Sequence, residues 1–171
     1  MNIKTNNWNH NSYITVSDVL NKKEIQVIIK DIEEQIKSNP AKDSLTGIQT
    51  KALLHEIYKT KPWLNYFKKI KEIAGMLGFL KLKECWALKI EKQQTPFLHN
   101  HRKSKITSVF YLQNPDVFCG TYLNQDGKDI IIPGHENSLV VFDGKIFHDA
   151  VFPTTKLLKN KPRYTLITDF N

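Results

Sequence analysis

His99, Asn100 and His101 place two imidazoles two positions apart. In an extended segment such residues project to the same face. Both rings can therefore approach one ion, and imidazole suits Fe, Zn, Cu or Ni. A third donor must come from elsewhere in the chain. His148 is the natural candidate, because it follows the apolar run Leu139, Val140, Val141 and Phe142 and lies close to the apolar Phe147 and Ala150. The chain holds six histidines, enough for a His-x-His pair to arise by chance, so the pair alone leaves two readings open: a metal centre, or two surface histidines at a strand end. His10 in the polar N-terminal segment, His55 on an expected helix and His135 in a Pro-Gly turn read as surface or satisfied residues.

Charge singles out another pair of residues. The formal net charge is +8, carried almost wholly by lysine, and Arg102 and Arg163 are the only two arginines. The excess of positive charge allows an acidic partner such as nucleic acid. The scarcity of arginine argues against one, since readers of base edges and phosphates lean on it. In such a lysine-rich chain an arginine stands out where a planar, bidentate cation is required. Arg102 adjoins the histidine pair but faces the other way if extended, which suits a surface role. Arg163 opens a late apolar run, with Thr165 two residues on and on the same face.

The elements that must position these residues fall into two halves. Up to Gly78 the pattern is helical. Asn21 and Glu24 resemble a capping box, Ile25, Ile28, Ile29, Ile32 and Ile36 share one helical face, and Pro40 ends the run. A second, weaker helix is expected over 49–58. A third opens near Pro62, with Trp63, Phe67, Ile70, Ala74 and Leu77 on its apolar face and Gly78 as its stop. After Gly78 come short runs rich in β-branched and aromatic residues, at 82–90, 105–112, 121–123, 129–132, 138–142, 146–151 and 164–170. Turn signals such as Asn114-Pro115, Asp126-Gly127, Pro133-Gly134 and Asp143-Gly144 separate them. Many closely spaced short strands imply a sandwich or barrel backed by a helical layer. A chain of 171 residues suits one domain, with 1–80 as helical support and 81–171 as the β core. No stretch is long and apolar enough for a membrane span or a signal-peptide core, so no membrane partner and a cytoplasmic location are expected, with Cys85 and Cys119 as reduced thiols.

Taken in order, these features resemble the Fe(II)- and 2-oxoglutarate-dependent dioxygenases. They are most similar to the prolyl-hydroxylase-like branch, in which a small group carries a His-x-His pair. The family pattern is a His-x-Asp/Glu pair, a distal His, and an Arg opening a late strand with Ser or Thr two residues beyond. The resemblance covers 82–171 and implies an α+β fold: a double-stranded β-helix, or jelly roll, with N-terminal helices packed on one sheet. It implies Fe(II) held by His99, His101 and His148, and 2-oxoglutarate as cosubstrate, anchored by Arg163 with Thr165 and Tyr111 beside it. It further implies O2 as co-reactant and hydroxylation of a peptidyl proline or another peptide or small molecule. Two departures stand out. His101 occupies the position of the usual carboxylate. The gap from His148 to Arg163 is long, with 156–161 as an inserted loop.

Three other readings stay open on the residues alone. One is a catalytically silent β-sandwich acting as a binding module. Another is a three-histidine enzyme that needs no keto acid and so has no use for Arg163. The last is a basic nucleic-acid module, which has no need of histidines at strand ends.

Overall fold

The computed structural model describes residues 2–6, 13–38, 47–79, 81–92, 95–152, 154, 156, 158 and 161–171. Helix α1 (Lys22–Ser38) begins at a reciprocal cap. The Asn21 N–H donates to Glu24 Oε2 at 2.9 Å and the Glu24 N–H to Asn21 Oδ1 at 3.0 Å. Ile28 and Ile32 are buried along its inner face, with Ile25, Ile29 and Ile36 packed beside them. Pro40, expected to stop this helix, lies outside the described residues. Helix α3 (Lys61–Met76) carries Pro62 in its first turn and buries Trp63, Phe67, Ile70 and Ala74. It stops where Gly78 turns to a φ of +83°, a conformation glycine adopts without penalty, and the Phe79 N–H returns to the Ala74 carbonyl at 2.9 Å.

The strands are β1 (Asn2–Asn6), β2 (Tyr13–Ser17), β3 (Ile48–Gln49), β4 (Leu82–Ile90), β5 (Ile106–Gln113), β6 (Thr121–Gln125), β7 (Lys128–Ile132), β8 (Ser138–Asp143), β9 (Phe147–Ala150) and β10 (Arg163–Phe170). They form a seven-stranded sheet in the order β1-β2-β8-β5-β10-β4-β3 and a three-stranded sheet in the order β7-β6-β9. Every pairing between them is antiparallel. This is a jelly roll with helices on the outer face of the larger sheet, as the pattern of short strands implied. Alternation along the strands divides the core in two. Phe110, Leu139, Val141, Leu166 and Phe170 pack outward on the helices with Trp63, Tyr66 and Ile28. Val109, Tyr111, Val140 and Phe142 pack inward on Leu123 and Ile132 of the smaller sheet.

The sequence pattern implied a helical first half, and the structure corrects this by placing strands there as well. Tyr13 to Ser17 alternates half-buried and buried residues and joins the larger sheet against β8, with Ile14 opposite Val141 and Val16 opposite Leu139. The expected helix over 49–58 shrinks to the single turn α2 (Leu54–Ile57), because Ile48 and Gln49 pair instead with Lys89 and Leu88 at the edge of β4. In the segment preceding β10, the Leu158 N–H bonds the Thr154 carbonyl at 3.1 Å and Leu158 is buried on Leu88, Ile90 and Ile167. Leu157, Lys159 and Asn160 of the expected loop lie outside the described residues. Cys85 and Cys119 are free and buried, and burial pushes the Cys85 thiol up to about 12. No helix among the described residues is long and apolar enough to cross a membrane.

Candidate metal centre

Residues 95–105, which lead into β5, form no regular strand, yet hydrogen bonds tie their main chain to the β8–β9 hairpin. His99 and His148 exchange both backbone hydrogen bonds, His99 N–H to His148 O at 3.1 Å and His148 N–H to His99 O at 2.8 Å. The His101 N–H donates to the Gly144 carbonyl at 2.7 Å, and the Ser104 N–H closes a turn on the His101 carbonyl at 2.7 Å. Both histidines of the pair are therefore tied to the β8–β9 hairpin that carries His148. A ring nitrogen from each of His99, His101 and His148 lies within 4.8 Å of the others. The ring centroids are 4.4 Å apart for His99 and His148, 4.9 Å for His101 and His148, and 5.3 Å for His99 and His101.

The outer nitrogens of the three rings are all engaged. His99 Nδ1 meets the Phe97 carbonyl at 2.8 Å, and His148 Nδ1 meets the Ile146 carbonyl at 2.9 Å. His101 Nδ1 lies 2.9 and 3.1 Å from the two oxygens of Asp169. An Nδ1 that donates to a carbonyl or carboxylate fixes the tautomer and leaves Nε2 as a lone-pair donor, the arrangement that a metal-ligating histidine needs. Burial pushes the His148 imidazole down to about 3, so it stays neutral, as a ligand must. Trp86 beside His101, Phe142 against His148 and Phe97 over His99 wall the rings with aromatic surface. Three imidazoles so arranged can hold one metal ion.

One cavity is lined by all three histidines and by Arg163, Thr165, Thr121, Asp149 and the apolar Leu88, Val109 and Ile167. Arg163 is only 2% exposed. Its terminal nitrogens donate to the Val151 carbonyl at 3.2 Å and the Gly120 carbonyl at 3.0 Å, and its Nε is buried without a partner. No ion pair among the described residues involves it. Burial lowers its affinity for the proton, a sign of how poorly the charge is solvated. Thr165 shares the cavity face of β10 with Arg163. Tyr111 stands opposite Thr165 in the sheet, with its ring 5.4 Å beneath the guanidinium. Its hydroxyl is bonded to Thr121 Oγ1 at 2.5 Å, so the hydroxyl lining the cavity at this corner is that of Thr121.

Two residues of the site escaped sequence reasoning. Thr121 begins β6 and was read only as part of a turn and strand. Asp169 lies on the same face of β10 as Arg163, six positions on, where the two-residue period could have found it. Arg102 and His135 are exposed, as is Asp143 at the end of β8, before the turn into β9. Asp149 is buried in the cavity wall, accepts from the Phe97 and Ala150 N–H groups at 2.6 and 2.7 Å, and lies in the field of His99 and Arg163 without an ion pair to either. His55 is half-buried on α2, in edge contact with Phe67, and is not among the residues of the cluster or its cavity.

No family model matches the chain. No curated protein matches it in sequence. Solved structures do match it in fold. The α-ketoglutarate-dependent epimerase SnoN from nogalamycin biosynthesis superposes with a TM-score of 0.73 at 14% identity, over 96% of this chain and 79% of that one. A prolyl-4-hydroxylase from Pseudomonas putida gives 0.72 at 16% identity, over 96% and 94%. The viral collagen prolyl hydroxylase of Paramecium bursaria Chlorella virus-1, in its 2-oxoglutarate complex, gives 0.63 at 14%, over 92% and 94%. At these identities the likeness is one of fold.

Proposed function

Because the chain has the fold of the iron- and 2-oxoglutarate-dependent oxygenases, we propose that it is itself an Fe(II)- and 2-oxoglutarate-dependent dioxygenase that hydroxylates a peptide or small molecule. The observation that carries this reading is Arg163. A buried guanidinium with an orphaned Nε, two carbonyl acceptors and no carboxylate in ion-pair contact, Asp149 acting on it only from a distance, is costly unless an anion completes it. It opens on the cavity that the three imidazoles also line. A ligand suited to both ends carries a metal-chelating group at one and a carboxylate at the other, which describes 2-oxoglutarate. The likeness to enzymes described as α-ketoglutarate-dependent supports the same choice.

His99, His101 and His148 would hold the iron. Arg163 would pair with the distal carboxylate, with the Thr121 and Thr165 hydroxyls as further donors and Tyr111 buttressing the guanidinium from below. Fe(II), 2-oxoglutarate and O2, when bound together, supply the oxidising power that inserts one oxygen atom into a C–H bond and leaves succinate and CO2. Leu88, Val109 and Ile167 keep the space between the two ends apolar, which strengthens every polar contact made there. Phe97 and Leu98, both exposed beside His99, offer apolar contact to a substrate at the mouth. A keto-acid-independent metalloprotein or a silent binding module would use Arg163 only to tie the Val151 and Gly120 carbonyls together, which leaves its Nε without a role.

The test is succinate release. Aerobic protein loaded with Fe(II) and given 2-oxoglutarate should form succinate slowly even without its substrate, and omission of iron should abolish this. A loaded protein that neither binds nor consumes 2-oxoglutarate ends the reading.

A further inference from the structure

We propose that Asp169 is the carboxylate of this metal centre, acting through the His101 ring rather than as a ligand itself. The inference rests on His99, His101 and His148 holding a metal ion. Asp169 is 3% exposed and presents both oxygens to His101 Nδ1, at 2.9 and 3.1 Å. It also accepts from Ser104 Oγ at 2.9 Å and Thr107 Oγ1 at 2.8 Å. No lysine or arginine among the described residues forms an ion pair with it.

The three histidines differ in what faces their Nδ1 atoms, His101 also having the Thr107 hydroxyl at 3.1 Å. His99 and His148 donate to neutral backbone carbonyls. His101 alone meets a carboxylate. A carboxylate acceptor draws the Nδ1 proton outward and makes the ring a stronger σ-donor at Nε2. It also places one negative charge next to a dication. A ligand set of three neutral imidazoles would leave the ion's double charge intact. With Asp169 counted, the centre carries the same charge as a site with two histidines and one carboxylate. Position 101 is where the resemblance expects that carboxylate, and the charge has moved outward by the width of one imidazole. The arrangement also answers the question of Asp169 itself. A buried carboxylate lacking a cationic side chain is costly, and a metal-bound imidazole N–H is the donor that would compensate it.

Asp169 is a positioning residue, and its test uses the metal alone. Anaerobic Co(II) titration of the full chain should show Asp169→Asn binding 10–100-fold more weakly than wild type, the usual consequence of losing such a partner. Adding His101→Asp to Asp169→Asn returns the charge to the ligand position and should recover at least about tenfold of that loss. A merely structural Asp169 would not be rescued in this way. Asp169→Asn binding within about threefold of wild type, or a double variant no tighter than the single one, overturns the proposal. A second measurement needs no variant. In Zn(II)-loaded, 15N-labelled wild type, the His101 Nδ1–H should resonate furthest downfield of the three ligand rings. An unprotonated His101 Nδ1, or a signal level with those of His99 and His148, also overturns it. Wild type that binds metal while Asp169→Asn is unaffected defeats this proposal and leaves the metal centre standing. Wild type that binds no metal defeats both.

Discussion

His99 and His148 face each other across an isolated antiparallel bridge, joined by two backbone hydrogen bonds of 2.8 and 3.1 Å. Their separation is therefore set by main chain rather than by side-chain packing. Little ordering remains to be done when an ion arrives, so the site is organised before the metal binds.

That relationship makes each histidine separately testable. His99→Ala or His148→Ala removes a donor and leaves the bridge in place, so both variants should fold yet bind Co(II) more weakly. The loss should exceed the ~10–100-fold that removal of an outer partner costs. The ring nitrogens should lie about 2.0–2.2 Å from the ion in the loaded protein. Metal stoichiometry by elemental analysis and X-ray absorption checks both points, and wild-type stoichiometry in either variant would place the ion elsewhere.

Arg163 separates the two ends of the site. Arg163→Lys keeps a charge but loses the planar fork, and should raise the 2-oxoglutarate concentration needed for binding. Arg163→Ala should weaken binding further, by about 2–5 kcal/mol for the loss of a buried charge-assisted pair. Metal affinity should be unchanged in both. Calorimetric titration of Mn(II)-loaded protein with 2-oxoglutarate measures the effect. Equal affinity in wild type and Arg163→Ala would remove the residue from the site.

Gly144 touches no ligand, yet it should control one. A Cβ at this position would stand 2.5 Å from the Ser104 carbonyl and 3.0 Å from that of His101, both main-chain atoms. The Gly144 carbonyl is also the acceptor for the His101 N–H. Gly144→Ala must push the 101–104 turn away from the hairpin. We expect a stability loss of about 1–3 kcal/mol and weaker Co(II) binding through displacement of His101. Unchanged metal affinity would mean that the turn can shift without moving the ring.

A polar clip ties α1 to the larger sheet. Lys89 lies 2.7 Å from Glu33 Oε1, and the Tyr164 hydroxyl donates to the same carboxylate. Burial opposes ionisation of Glu33, but the hydrogen bonds from Lys89 and Tyr164 outweigh it and hold its carboxyl below the usual range. A carboxyl with a lowered folded-state value contributes stability above its unfolded value, near 4.5, and loses it as the pH falls through the folded one. Glu33→Gln should therefore be destabilised by about 1–2 kcal/mol at pH 7, roughly 2–4 °C in melting temperature for each kcal/mol. The gap should close as the pH falls below that of an ordinary carboxyl. A gap that stays constant down to acid pH would show that the ionised carboxylate contributes nothing.

The residues that sequence reasoning reached share one property. His99, His101, His148 and Arg163 are rare types at informative places, brought forward by the spacing of the pair, the apolar run before His148 and the scarcity of arginine. Asp169 is one of 17 acidic residues, and only the register of β10 against β5, which sets it opposite Thr107, brings it to the His101 ring. Thr121 is hidden for the same reason, since its importance comes from the approach of the smaller sheet to Tyr111. A sandwich or barrel was legible from many short strands between turn signals, and the resemblance narrowed it to a jelly roll. β2 was not, because its five residues follow a polar segment and no glycine or proline marks their start. The edge pairing of Ile48 and Gln49 is a tertiary choice that local propensity does not express.

The central claim is that one cavity holds both a metal ion and 2-oxoglutarate in contact with it. Anaerobic titration with Fe(II), followed by 2-oxoglutarate, tests it most directly. A weak visible charge-transfer band should appear only after the keto acid is added, saturate at one equivalent per chain, and require higher keto-acid concentration in Arg163→Ala. Iron that binds while no band develops, even at millimolar 2-oxoglutarate, would contradict the account.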